Sequence, residues 1–421
     1  MTGPGAGAVT IERLAAGGDG VGHLPDGLTV FVPRTAPGDV VRVVELRRHR
    51  RHAFGRAEAI LERGADRVEP RCMHFARDGC GGCQWQHLAP DAQRRAKGRI
   101  VGDALRRLGK LAVSDPEVVP SPSAFGYRST LTLAVFGGGP GRAAGLHRVG
   151  DWGVFPLERC EIAREPLNAL WAVLRGSVPV LPGGDGVRLV LRVAPGGALH
   201  VLVRGGRRAW TSGGVLAAAA AAVGLEPTVW WQPDGGAARR MAGPEADPAD
   251  IAFAQANAGV ASVVRADTMA AVPRDATRVL DLFAGAGEIG LELAARGADV
   301  VTVEIDARAV RFVAARAAER GLRLRALAGR VEDLVPGLLP ADAVVVNPPR
   351  TGLAAPTTAA LRQAPPGRLV YVSCDPATLG RDLARLGAVR GRLAQVRGYD
   401  MFPQTSHVET LVVLDREEGA A

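Results

Sequence analysis

The sequence predicts an α/β protein whose last third and more is an open parallel sheet with helices on both faces, preceded by a small β-barrel and a central α/β region. Three observations carry this. From about residue 251 onward, short apolar strands alternate with segments of helical period, the pattern of right-handed βαβ crossovers. A glycine-rich turn, Gly285-Ala-Gly287-Glu-Ile-Gly290, joins the first of those strands to its helix. Before residue 62, β-type runs are broken by glycine and proline at short intervals, as in a small barrel.

At 421 residues the chain exceeds one typical domain, and three parts are expected: 1–64, 65–250 and 251–421. A content of 47% hydrophobic and 23% charged residues is that of a globular chain, not a disordered one. No stretch approaches the roughly 20 apolar residues of a membrane span, and the first eight residues lack the charged start and apolar core of a signal peptide. A cytoplasmic protein without a membrane partner is expected, taken as a monomer. The net charge of +9 favours a polyanionic partner, and Arg47-Arg48-His49-Arg50-Arg51-His52 concentrates charge just after a strand-like stretch.

Taken in order, barrel strands are expected at 9–14, 28–32, 40–46 and 56–60, with turns at 17–20, 25–27 and 37–39. Barrels of this size often bind single-stranded nucleic acid. A cysteine segment, 72–83, leads into a basic helix over 92–111, with Ile100, Ala104 and Leu108 at helical spacing and Arg94, Arg95, Lys97, Arg99, Arg106 and Arg107 on the charged face. Strands at 130–136, 187–193 and 198–203 mix with helices at 166–174 and 214–223, and the polar stretch 232–248 reads as a boundary. Beyond it come strands at 279–282, 300–304, 344–346 and 369–372, each followed by a helix, and a last strand at 407–414.

The chemistry sits at the ends of those strands. Glycines at 285, 287 and 290 let backbone N–H groups approach a ligand closely, and Glu304 ends the next strand where a ribose-binding acid is expected. Nicotinamide dinucleotides and S-adenosylmethionine share both features, so this turn alone leaves the cofactor open. Asn347-Pro348-Pro349 adds a stiff turn projecting an amide toward the cofactor pocket; such a turn resembles that of methyltransferases acting on planar bases, and a dehydrogenase does not need it. Cys374, in Tyr371-Val372-Ser373-Cys374-Asp375-Pro376, stands where a buried strand runs out into a loop; a free cysteine is ordinarily a small buried hydrophobe, but this position suits a nucleophile. Glu409, opening the last strand, is a candidate base by its company. Cys72, Cys80, Cys83 and Cys160 supply four thiols, enough for zinc or an iron–sulfur cluster, and spacing leaves both open. Five cysteines in so long a chain do not suggest a secreted disulfide framework.

These residues together resemble the RNA uracil-5 methyltransferase family, class I S-adenosylmethionine-dependent enzymes with an N-terminal TRAM barrel. The carriers are Asp281-Leu-Phe-Ala-Gly-Ala-Gly287, Asn347-Pro-Pro-Arg-Thr-Gly-Leu353, Ser373-Cys-Asp-Pro376 and Gly398-Tyr-Asp-Met-Phe-Pro-Gln-Thr-Ser-His-Val-Glu409, and the likeness covers nearly the whole chain. It implies a TRAM, OB-like barrel, a central RNA-binding and iron–sulfur region, and a C-terminal Rossmann-like class I methyltransferase domain. The family branch acting on 23S rRNA carries a [4Fe–4S] cluster on a Cys…Cys-Gly-Gly-Cys segment plus a later cysteine, similar to Cys72, Cys80, Cys83 and Cys160. On that resemblance a cluster is favoured over zinc. Family contacts to S-adenosylmethionine fall on Gln255, Phe283, Glu288, Glu304 and Asn347, the nucleophile on Cys374 and the proton acceptor on Glu409.

The implied reaction is methyl transfer to C5 of a uridine in RNA through a covalent adduct of Cys374 with C6, with 23S rRNA the expected partner. A transfer RNA uracil-5 methyltransferase and a non-catalytic RNA-binding or ribosome-assembly protein are the alternatives. Four features depart from the family pattern: Asn347 stands where Asp is common, Glu288 where Asn is common, the first cysteine gap is long, and Tyr127-Arg128-Ser129 lacks the Asn that follows it in the family.

Overall fold

The computed structural model describes residues 7–150, 153–206, 209–251, 255–387 and 391–416. The chain forms two compact units, one of Met1–Gln93, Pro122–Gly259 and Pro403–Thr405, the other of Arg94–Ser121, Val260–Phe402 and Ser406–Ala421.

In the first unit, β1 (Ala8–Leu14), β2 (Gly20–His23), β3 (Thr29–Val32), β4 (Val40–Arg48) and β5 (Ala53–Glu62) close into a barrel in the order β1-β2-β3-β5-β4. Alternate residues point inward, and Val9, Ile11, Val30, Val32, Val41 and Val43 fill the interior. β2 is absent from the sequence reading, which took Gly20 as the end of a turn. The glycines serve close packing there: a Cβ on Gly20 would lie 2.0 Å from Thr35 Oγ1, and one on Gly22 would lie 2.4 Å from the Thr10 carbonyl.

The short α1 (Met73–Ala76) lies inside the cysteine segment, and α2 (Pro90–Arg107) and β6 (Val118–Val119) follow. A seven-stranded sheet then forms from β7 (Thr130–Phe136), β8 (Ala143–His147), β9 (Val154–Pro156), β10 (Arg188–Val193), β11 (Leu199–Arg204), β12 (Thr228–Gln232) and β13 (Arg239–Ala242), in the order β13-β12-β11-β10-β7-β8-β9. α3 (Glu165–Leu174) and α4 (Gly213–Ala221) belong to the same unit, and Leu167, Leu170 and Trp171 join Leu131, Leu189 and Val201 in one core. β13 runs through the stretch that the sequence reading took as a plain polar boundary.

The second unit is built on α5 (Ala258–Ala271), β14 (Arg278–Leu282), α6 (Glu288–Ala295), β15 (Asp299–Glu304), α7 (Ala307–Glu319), β16 (Leu324–Ala328), α8 (Val331–Leu334), β17 (Ala343–Val346), α9 (Ala355–Gln363), β18 (Arg368–Ser373), α10 (Pro376–Leu386), β19 (Gly391–Tyr399) and β20 (Glu409–Arg416). Its sheet runs β16-β15-β14-β17-β18-β20-β19-β6. β14 to β18 are mutually parallel, while β20 runs antiparallel between β18 and β19. Two apolar cores, one around Leu280, Val344 and Leu379 and the other around Val279, Val345 and Val370, show that neighbouring residues of one strand feed opposite faces.

From β14 the chain moves outward through β15, and from β17 it moves the other way through β18. The crevice at their carboxyl ends is the topological switch point where doubly wound sheets bind ligands. Lys97 departs from the sequence reading. It is fully buried, not part of a charged face, and its Nζ donates to Asp400 Oδ1 and, at 3.0 Å, to the Phe402 carbonyl.

Candidate active site

The turn after β14 opens the crevice. Phe283 has φ of 62°, a conformation that L side chains rarely adopt and that tends to persist where function holds it. A Cβ on Gly285 would meet nothing within 4 Å, so the turn faces open space, whereas one on Gly290 would run into Thr302 at 2.5 Å, which sets how closely α6 packs on the sheet. Asp281, buried in β14, accepts from the Gly290 N–H at 3.0 Å. Burial pushes its carboxyl up to about 7. Glu304 binds the turn to the end of β15: its Oε2 accepts from the Gly285 N–H at 2.9 Å and its Oε1 from the N–H groups of Ile305 and Asp306. Asn347 is exposed just beyond β17. Glu288 opens α6 and is paired with Arg265 at 2.7 Å on an exposed face. Gln255 belongs to the first unit, where its carbonyl accepts from Ser129 Oγ at 3.4 Å.

On the other side of β17 stand the thiol and the carboxylate. Ser373 at the end of β18 pairs across to Thr410 in β20, so the next residues out, Cys374 and Glu409, are neighbours. Asp375 then caps α10, its carboxylate accepting from the Thr378 N–H at 2.8 Å with Pro376 in the first turn. Cys374 is thereby pinned between a strand end and a helix cap. Burial raises its thiol, the Glu409 carboxylate raises it further, and Arg350 acts against both. Glu409 is 4% exposed and is pushed up to about 7 by burial, again with Arg350 opposing.

Arg350 was not singled out in the sequence, although it lies in the quoted Asn-Pro-Pro-Arg motif. α10 holds its loop: Thr378 Oγ1 donates to the Arg350 carbonyl at 3.0 Å and Arg381 Nη2 to the Thr351 carbonyl at 2.7 Å. The buried Asp382 accepts from the Leu353 N–H at 2.7 Å and from the Tyr371 hydroxyl at 2.9 Å, tying that loop to β18. Arg381 and Asp382 are neighbours on α10 and lie about one helical turn from Thr378.

In the first unit a cavity of about 110 Å³ is lined by all four remaining cysteines, Cys72, Cys80, Cys83 and Cys160, together with Gln86 and Arg128. Burial pushes the Cys80 thiol up to about 11 and the Cys83 thiol up to about 12, and their cysteine neighbours raise both further. Arg34, itself at φ of 60°, stacks over Phe75 at 4.3 Å and donates to the Cys80 carbonyl at 3.0 Å, so the barrel fastens the cysteine loop. Among the described residues no group of three or more His, Cys, Asp or Glu side chains is arranged to hold a metal ion. No helix among them is long and apolar enough to cross a membrane.

Three family descriptions match in order along the chain: TRAM domain over 8–57, methyltransferase small domain over 251–364 and tRNA (uracil-5-)-methyltransferase over 323–417. The chain is 32% identical over 436 residues to the 23S rRNA (uracil(1939)-C(5))-methyltransferase RlmD of Thiobacillus denitrificans, spanning 97% of this chain and 99% of that one. It is 33% identical to RlmD of Aromatoleum aromaticum, over 96% of this chain and 99% of that one. The solved Pyrococcus abyssi tRNA (uracil-54, C5)-methyltransferase in complex with S-adenosyl-L-homocysteine superposes with a TM-score of 0.73 at 23% identity, covering 98% of this chain and all of that one, and so shares its fold. A crevice at the switch point, a cysteine and a glutamate at adjoining strand ends, and relatives of this identity along nearly the full length lead to one conclusion: the chain belongs to the S-adenosylmethionine-dependent RNA uracil-5 methyltransferase family.

Proposed function

We propose that this enzyme methylates C5 of a uridine in 23S ribosomal RNA, with Cys374 as nucleophile and Glu409 as the base. The observation that carries the residue roles is the register of β18 on β20, which sets thiol and carboxylate side by side at the open end of the sheet. The ribosomal target is supported by relatives named for it that match from end to end.

S-adenosylmethionine, when bound, supplies an electrophilic methyl group. The open space over Gly285, the Glu304 carboxylate and the exposed Asn347 fit such a group, and Phe283, Glu304 and Asn347 would hold it, with Gln255 and Glu288 assigned by resemblance. Cys374 does the activating work. Its thiolate forms a bond to C6 of the uracil, the C5–C6 π electrons move toward C5 and O4, and C5 becomes nucleophilic enough to take the methyl group. Glu409 then accepts the C5 proton, and the electron pair left behind expels the thiolate as the S–C6 bond breaks. A carboxylate pushed up to about 7 is matched to proton transfer near neutral pH. The target base must leave its stack to meet the thiol.

For the four cysteines, a [4Fe–4S] cluster is the reading we favour over zinc. Four thiols line one cavity, the number such a cluster takes, and on the family resemblance Cys72, Cys80, Cys83 and Cys160 would hold it. Its role would be structural, since methyl transfer consumes no electron. The division into a barrel over 1–64, a cysteine and RNA-binding region over 65–250 and a methyltransferase domain over 251–421 is the working assignment of these roles. The test is denaturing electrophoresis after incubation with S-adenosylmethionine and 5-fluorouridine-substituted 23S rRNA. Fluorine cannot leave as a cation, so an adduct on Cys374 is expected. An adduct formed only with substituted transfer RNA would move the target, and no adduct with either would remove the covalent mechanism.

A further inference from the structure

We infer that the tip of the β4–β5 hairpin on the barrel is a stacking platform for an unpaired base of the RNA substrate, built from Phe31, His49, His52 and Phe54. The inference rests on the chain acting on RNA. It adds a base-reading surface to what the arginine run alone supplies, which is phosphate attraction.

The hairpin turns through Arg50-Arg51, with the His49 N–H donating to the His52 carbonyl at 2.8 Å. This places the two imidazoles together, 4.8 Å apart and within 19° of parallel. Phe31 on β3 pairs across to Phe54 on β5, and their rings lie 5.4 Å apart at 28°. His52 meets Phe54 edge-on at 5.2 Å, joining the two pairs into one cluster, and the Arg47 guanidinium lies 5.4 Å from the Phe54 centroid. None of the four rings belongs to the barrel core, and all four are exposed or half-buried.

Cross-strand aromatic pairs also stabilise hairpins, so stacking within the cluster does not by itself indicate a ligand. Charge supplies the second argument. Arg48 is neutralised by Asp26 at 2.6 Å, but Arg47, Arg50 and Arg51 have no carboxylate partner among the described residues. Cations without carboxylate partners around partly exposed aromatic rings are what a single-stranded nucleic acid meets when phosphates and bases are bound together. A duplex hides its base faces and would use only the arginines.

The test is binding of the full-length chain to a single-stranded RNA of about a dozen nucleotides carrying one 2-aminopurine, against a blunt duplex of the same length. Phe54→Ala is expected to weaken single-strand binding about ten-fold, to abolish the fluorescence quenching that reports stacking and to leave duplex binding unchanged within about two-fold. Phe54→Trp should retain affinity and quenching. The double variant Arg50→Gln/Arg51→Gln should keep the quenching while lowering the slope of log affinity against log salt by about 1.4. The platform is overturned if Phe54→Ala quenches and binds as the wild type does, if Phe54→Trp fails as the alanine variant does, or if the wild type prefers the duplex. Formation of the 5-fluorouridine adduct is scored separately: its absence with quenching intact would sink the catalytic reading alone, and its presence with quenching unaffected by Phe54→Ala would sink the platform alone.

Discussion

The two cysteine regions hold the same functional group in opposite settings. Cys374 is a single half-buried thiol at the open end of a sheet, with a buried carboxylate beside it and an arginine whose charge reaches both. Cys72, Cys80, Cys83 and Cys160 line one cavity, and the thiols of Cys80, Cys83 and Cys160 are raised by burial and by neighbouring cysteines. A thiol with one electrophile to attack needs a place for the proton and room for a flat ring, which the strand ends provide. Buried thiols raised in this way stay protonated unless a metal or a cluster takes the proton's place, which is the role proposed for them. Position in the fold, not the residue type, divides the two proposed roles.

The largest expected effect follows from that division. Cys374→Ala should lower methyl transfer by about four orders of magnitude or more and form no adduct, because the proposed activation of C5 runs through addition of this thiolate at C6. Cys160→Ser should strip iron and sulfide and lower the melting temperature, yet still form the adduct with turnover within roughly ten-fold of wild type in the fraction that stays folded. Iron and sulfide analysis of anaerobically prepared protein, run beside the adduct gel, checks both. A Cys374→Ala variant that turns over normally, or a Cys160→Ser variant that stays folded but forms no adduct, would break the comparison.

How much of this was legible in the sequence differs between the two regions for a physical reason. Strand ends followed by Gly, Asn-Pro-Pro or Ser-Cys-Asp-Pro are local patterns, so β14, β17 and β18 and their terminal residues could be placed directly. The pairing of Cys374 with Glu409 depends on β20 entering antiparallel beside β18, a non-local fact that no spacing encodes. β16 and β19 escaped notice because they are edge-side strands whose exposed or half-buried residues blur the apolar run, as in Leu324–Ala328. Lys97 was misplaced because its ion pair lies about 300 residues away in sequence, at Asp400. The shared cavity of Cys160 with Cys72–Cys83 likewise follows from tertiary packing and from resemblance, not from spacing.

Glu409, the proposed base, gives the next largest effect. Glu409→Gln should slow release of the methylated product by about 10² to 10⁴ and accumulate a stable protein–RNA adduct. It should also change stability in a direction that a surface carboxylate would not. Glu409 holds a proton in the folded chain up to about pH 7, whereas the unfolded chain gives it up near 4.5. Folding is therefore favoured below that window, and this contribution is lost as pH rises through 7. At pH 8.5 the Gln variant should outlast the wild type by a few kcal/mol, on the order of 5 °C in melting temperature, and the gap should close toward pH 4.5. Melting curves at both pH values decide it, and an equal gap at both would mean that Glu409 is not buried as an acid.

Arg350 offers the smallest and sharpest probe, because its charge opposes the raised values of both Cys374 and Glu409 while its loop is held from α10 by contacts to its backbone. Arg350→Gln leaves those contacts in place, since the bond from Thr378 goes to its carbonyl. Removing only the cation should let burial raise Cys374 and Glu409 further, so the rising limb of the pH–rate profile moves to the alkaline side. The exposure of Arg350 limits the move to about one pH unit or less, which is up to roughly ten-fold in rate at pH 7 and little at pH 9. Iron content should not move, since Arg350 is not among the charges that shift Cys80, Cys83 or Cys160. A uniform loss at all pH values would assign Arg350 to substrate binding, and a profile identical to wild type would mean that burial and the Glu409 carboxylate alone set the thiol.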